Sequence, residues 1–229
     1  MLRSSGRETR GNPPLGGASG VGAAWLARRV SDHFYRPSEG HRLAHDPFNA
    51  IVAPRPIGWI GTRAADGVRN LAPYSFFTAL AYTPPLVGFS SNGYKDSVRN
   101  AEKTGVFTWN LVTRELAERM NATSTTEQVD EFDRAGLDGV DCADVAAPRV
   151  AQAPVSFECR TAQVVRLLAA DGTPSDNWWC TGEVVGVHIE EALIEDGVYR
   201  TELAEPVVRG GGPSAYYELG ERFDITRPG

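Results

Sequence analysis

Between Asn70 and Asn100 the chain reads NLAPYSFFTALAYTPPLVGFSSNGYKDSVRN, and three kinds of binding group are concentrated there. Tyr74, Phe76 and Phe77 offer flat rings able to flank an aromatic ligand. Ser75, Thr78, Ser90, Ser91 and Asn92 offer hydroxyl and amide groups. Lys95 stands just ahead of Val98–Lys103, a segment that Asp96 or Ser97 can cap as a helix, and the first amides of a helix favour an anion. A planar ring with a phosphate tail would satisfy all three groups. Each ingredient is also common in turns, so a strand–turn–strand ahead of a solvated helix is the competing reading. Lys95 stands out for another reason: of 23 basic residues, 21 are arginines and two, Lys95 and Lys103, are lysines.

The elements that must position these groups read mainly as strands joined by tight turns. Pro56–Thr62 is an apolar, β-favouring run that ends at a hairpin signal, Ala65-Asp66-Gly67, and Val68–Ala72 continues as its partner. Leu86–Ser90 is a short strand after the breaker Pro84-Pro85, and Thr104–Val112 alternates Phe107, Trp109 and Leu111 with polar residues. Val155–Leu167 alternates again, turns at Asp171-Gly172, and is followed by a strand at Glu183–Ile189 and a turn at Asp196-Gly197. Helices are short; Thr113 can cap Arg114–Asn121. Strands at this spacing point to a closed antiparallel barrel or sandwich, and no GxGxxG follows a strand to suggest a dinucleotide-binding doubly wound sheet.

Composition sets outer bounds. The chain has 229 residues with a net charge of −6, which argues against nucleic acid as the main partner. No apolar run approaches the ~20 residues of a membrane-spanning helix. Cys142, Cys159 and Cys180 are odd in number and lack CxxC spacing, which fits a reducing cytoplasm, and Cys159 and Cys180, in strand patterns, read as small core residues. Residues 1–31 carry five arginines against one acid and are rich in Gly, Ser and Pro, so they are expected to be a disordered basic tail ahead of a folded domain spanning 32–229.

Four stretches in register carry a family resemblance: Asn49–Thr62 (NAIVAPRPIGWIGT), Asn70–Thr78 (NLAPYSFFT), Lys95-Asp96-Ser97 and Pro154–Cys159 (PVSFEC). From about Phe34 to Tyr217 the chain resembles the flavin reductase-like FMN-binding split barrels, a group that includes flavoredoxins and reductase components of two-component monooxygenases. The resemblance implies a six-stranded antiparallel Greek-key barrel, a homodimer, one FMN per subunit and NAD(P)H as electron donor. On that basis Lys95 and Ser97 would hold the phosphate, and Arg55, between two prolines, would add a second cation. Ala72, Tyr74, Ser75, Phe76 and Thr78 would line the isoalloxazine edge, while Ser90, Ser91 and Asn92 would contact ribityl and phosphate oxygens.

Further residues keep two readings each. Trp59 is a stacking wall for the flavin or a core tryptophan, and Trp178-Trp179 place one ring in and one out of the sheet. His188, between Val187 and Ile189, is a catalytic group toward flavin or nicotinamide, or a structural hydrogen-bonding residue. Arg209, heading Arg209-Gly210-Gly211-Gly212 with Tyr216-Tyr217 beyond, presents a cation to a phosphate or merely opens a flexible connection. His41 and His45 are bracketed by Gly40 and Pro47, which leaves too little helix for a metal site. Hydride transfer to a flavin needs no acid–base residue, and no His–carboxylate pair is evident in the sequence. Two rivals stand beside a flavin reductase: an FMN electron carrier without nicotinamide activity, and a binder of another planar cofactor such as heme, with His188 as axial ligand.

Overall fold

The computed structural model describes residues 32–228. Two compact units divide the chain, one ending at Arg42 and one running from Leu43 onward. The expected disordered tail lies outside the described residues. In the short first unit, His33 Nε2 faces the His41 carbonyl at 2.8 Å and Arg42 donates to the Phe34 carbonyl at 2.6 Å.

The second unit opens with α1 (Phe48–Ile51), then β1 (Gly58–Arg63), β2 (Arg69–Tyr74), β3 (Phe77–Tyr82) and β4 (Pro85–Asn92). Helix α2 (Asp96–Thr104) precedes β5 (Val106–Asn110), and α3 (Ala117–Ala122) and α4 (Glu131–Ala135) follow. Then come β6 (Gly139–Val140), β7 (Arg149–Val150), the long β8 (Val155–Leu168) and β9 (Pro174–Ile189), and four short strands. These are β10 (Ile194–Glu195), β11 (Val198–Tyr199), β12 (Val207–Arg209) and β13 (Tyr216–Glu218).

Seven strands, one more than the six expected, form the large sheet in the order β2-β1-β5-β8-β9-β4-β3, every pairing antiparallel. Its hairpins sit where the sequence marks them: Gly67 and Gly172 take positive φ at the β1–β2 and β8–β9 turns, a conformation glycine adopts without steric cost. The Glu183–Ile189 strand proves to be the second half of β9, which begins at Pro174 and carries both Trp178 and Trp179. Helix α2 begins at Asp96 rather than Val98, with Lys95 as the capping residue and no side-chain cap; neither Asp96 nor Ser97 fills that role, because both already lie inside the first turn.

The strand period of two sends neighbouring side chains to two different cores. Ile60 and Tyr74 face a core with Phe77, Phe89, Val98, Phe107, Trp109, Cys159 and Cys180. Trp59 and Leu71 face the other, with Leu116, Met120, Phe132 and Val207. Segment 113–135, which carries α3 and α4, therefore packs across the outer face of β1 and β2. Arg69 fastens it there through Asp130 at 2.7 Å and Asp133 at 3.0 Å. Asp130 also caps α4 by accepting from the Phe132 and Asp133 amides.

Candidate functional site

Strand β2 is the edge of the large sheet, so alternate backbone groups along it face away from β1. The Leu71 N–H is one of these, and the Glu131 carboxylate accepts it at 3.1 Å. Beside that edge lies a cavity of about 260 Å³, walled by Asn70, Ala72 and Tyr74 on β2, by Lys95, Asp96 and Ser97 at the start of α2, and by the loop from Thr125 to Gln128. Tyr74 is shared with a second cavity of about 210 Å³, walled by Pro73, Ser75, Asn121, Ser124, Arg209 and Tyr216. Asn121 and Tyr216 also line a wider hollow of about 740 Å³ below α3. The three hollows adjoin one another through these shared residues.

A buried polar network sets the α2 end. Asn70 donates its side-chain amide to Ser97 Oγ at 2.9 Å and to Thr62 Oγ1 at 3.2 Å, and Asn100 donates to the same Thr62 oxygen. Ser97 Oγ thus accepts from Asn70 and keeps its own proton for another partner. The Tyr74 hydroxyl faces Ser97 and Ser91, and burial pushes its pKa up, so Tyr74 stays a neutral donor. With no side-chain cap on α2, the amides of its first turn lack intrahelical acceptors. Lys95 is exposed at this mouth and, among the described residues, forms no ion pair. Asp96 is instead engaged by Arg99.

Six sequence-predicted cofactor residues line the two cavities: Ala72, Tyr74, Lys95 and Ser97 the first, and Ser75 and Arg209, with Tyr74, the second. The other seven line neither. Arg55 is buried, and its guanidinium donates to the carbonyls of Ser75, Asn49, Val52 and Gly210, so it ties loops together rather than offering a free cation. Phe76 lies under that guanidinium. Thr78 donates to the Ala79 carbonyl from an exposed face of β3, and Ser91 donates to the Gly93 carbonyl. Ser90 and Asn92 pair with Trp179 and Asn177 across β4 and β9. Arg209 donates to the carbonyls of Gly212, Pro213 and Ala215 and lies over the Tyr216 ring, shaping the loop beside the second cavity.

Two expectations are corrected. Trp59 is 0 % exposed, and its indole donates to Thr123 Oγ1 at 3.0 Å, so no ring face is open for stacking and the core reading holds. His188 lines neither cavity; it sits 2.6 Å from Glu158 Oε1, which also corrects the expectation that no His–carboxylate pair exists. Sequence reasoning missed Glu131 and the 121–128 segment. The only local signal for Glu131 is the cap residue Asp130 ahead of it; its role at β2 depends on a partner 60 residues away.

The comparisons with known proteins meet this geometry. The model of the flavin reductase like domain matches residues 52–205, which hold β1 through β11 and both walls of the first cavity. The chain belongs to the flavin reductase like family. An uncharacterized protein of Halalkalibacterium halodurans is 33% identical over 184 residues, covering 77% of this chain and 87% of that relative. Nitrilotriacetate monooxygenase component B from Bacillus cereus superposes with a TM-score of 0.77 at 27% identity, over 85% of this chain and 99% of that one. A split-barrel-domain protein from Shewanella frigidimarina, at 23% identity and a TM-score of 0.70, covers 79% of this chain and 90% of its own, and shares the fold. The resemblance carried by the four sequence stretches is thus to the family the chain belongs to, and its fold is the split barrel. As a member of the flavin reductase like family, the protein falls among flavin oxidoreductases and its cofactor is a flavin. The donor set at the first cavity fits one: among the described residues, unpaired first-turn amides, an ammonium without an ion pair and a hydroxyl for a phosphate, beside a strand edge for a flat polar ring.

Proposed function

We propose that the protein is an NAD(P)H-dependent FMN reductase that supplies reduced flavin or electrons to a partner, a flavin-dependent monooxygenase being one class. The observation that carries this reading is the Lys95 ammonium, without a counter-ion among the described residues, at the uncapped start of α2 and at the head of a cleft along β2. Lys95, Ser97 and the first amides of α2 hold the FMN phosphate. Asn70 orients Ser97 for that contact. Ala72 to Ser75 run beside the ring, Glu131 occupies the Leu71 amide at the same edge, and Arg209 holds the loop that closes the second cavity. A bound FMN would supply the redox chemistry, hydride acceptance from a nicotinamide, while the protein's residues contribute placement and exclusion of water. The wide hollow under α3 gives the nicotinamide or the acceptor an approach. The likeness to a monooxygenase component supports a partner of that class.

Two copies form the working unit in this reading. Val165, Leu167 and Leu168 on β8 and Val187 on β9 are exposed apolar side chains that a second copy would cover. Free cysteines at 142, 159 and 180 suit a reducing cytoplasm. Heme is set aside, because its expected axial ligand, His188, lines neither the first nor the second cavity. An anaerobic titration of FMN-loaded protein with NADH and then NADPH tests the activity. Bleaching of the flavin absorbance by either nucleotide is expected. FMN that binds but is bleached by neither would make the protein an electron carrier and overturn the nicotinamide assignment.

A further inference from the structure

Away from the flavin cleft, three segments bring different donor atoms together. Cys142 lies in the loop between β6 and β7, Glu158 in β8 and His188 in β9, and their ligand atoms all lie within 4.8 Å of one another. Glu158 is 1 % exposed, and its carboxylate is fixed by the amides of Ala143 at 3.0 Å, Asp144 at 2.7 Å and Val145 at 3.1 Å. Three backbone donors on one carboxylate are the outer-shell support that orients a metal ligand. Opposite Glu158 stands Gly186, where a Cβ would come within 3.2 Å of the Glu158 carboxyl carbon, so glycine leaves the carboxylate its room. His188 is 34 % exposed along its side chain, which gives an entry path from solvent.

We propose that Cys142, Glu158 and His188 form a binding site for one Zn2+-class divalent transition metal. The mixed sulfur, nitrogen and oxygen set suits that class, and three protein ligands leave a fourth tetrahedral position for water. A thiolate and a carboxylate also balance the two positive charges of the ion. His188 Nε2 and Glu158 Oε1, now 2.6 Å apart, open to about 3.3 Å, the edge of a tetrahedron with metal–ligand bonds of about 2.0–2.1 Å. The ion would clamp the β6–β7 loop onto β8 and β9. It is independent of the flavin reading, since none of its ligands lines the first or second cavity.

The test is equilibrium dialysis of the full chain against micromolar Zn2+, followed by metal analysis, for wild type, Cys142→Ser and His188→Gln. One ion per chain in wild type is expected, with at least a tenfold loss of affinity in each variant. Circular dichroism of the metal-free proteins separates a lost ligand from a lost fold, and both altered residues are partly exposed. Co2+ substitution provides a second readout: a thiolate-to-cobalt charge-transfer band in wild type that Cys142→Ser abolishes. Wild type that retains no Zn2+, or variants that retain as much as wild type, would overturn the proposal.

Discussion

Glu131 shows how a single side chain at the cleft can work against stability. Burial pushes its pKa above the ordinary carboxylate value, despite the Leu71 amide that favours the ionised form. A carboxyl whose folded pKa lies above its unfolded one stabilises the fold when protonated, and that contribution is lost as pH rises through the folded value. At neutral pH its ionisation therefore costs stability. Glu131→Gln keeps an acceptor for the Leu71 amide and removes the charge, so its melting temperature should exceed that of wild type at pH 7. The difference should vanish below the ordinary carboxylate range; thermal melts at a series of pH values check this, and a neutral-pH loss would contradict it. Trp59 makes the opposite case, a residue whose job is structural. Trp59→Phe should cost about 1 kcal/mol for the lost bond to Thr123, read by denaturant unfolding, and should leave FMN affinity unchanged. A large drop in FMN affinity would return Trp59 to the flavin.

At the scale of elements, Arg55 joins three, two of which, the β2–β3 turn and the loop beyond β12, wall the second cavity. Its guanidinium reaches the Asn49 and Val52 carbonyls around α1, Ser75 at the β2–β3 turn and Gly210 beyond β12. Lysine has no planar fork to serve four carbonyls at once. Arg55→Lys should therefore destabilise the protein by about 2 kcal/mol through unsatisfied buried acceptors, and equilibrium unfolding would show it; an unchanged midpoint would refute the clamp. The elements themselves were legible where the signal is local. Asp66-Gly67 and Asp171-Gly172 mark their hairpins because a turn is specified by the residues in it. What escaped was long-range. The sequence alternation places Glu158 and His188 on their strands, but only the β8–β9 register, with His188 opposite Ser156, brings them together. Trp59 stayed ambiguous because its partner, Thr123, arrives 64 residues later. The cleft followed the same rule: Tyr74, Ser75 and Lys95 were readable from residue types and Ala72 from the family resemblance, whereas Glu131, Asn121 and Ser124 join only once segment 113–135 packs across β2.

For the whole molecule, family membership, the seven-stranded antiparallel sheet and the cleft along its edge agree on a flavin protein. Among the described residues, no helix is long and apolar enough to cross a membrane. The apolar side chains left outside on β8 and β9 bear on assembly. Sedimentation velocity should give a dimer for wild type, and Val165→Asp with Leu167→Asp should shift it to monomer. A wild type that sediments as a monomer at micromolar concentration would remove the dimer from the account.

The proposed function rests on Lys95 holding the flavin phosphate at the start of α2. Its most direct test is an FMN fluorescence-quenching titration of wild type and Lys95→Ala, with circular dichroism confirming that both are folded. A dissociation constant raised about tenfold or more, ~1.4 kcal/mol, is the expected result, with riboflavin, which lacks the phosphate, binding both proteins equally. Equal FMN affinity in the two proteins would contradict the assignment and move the flavin out of this cleft.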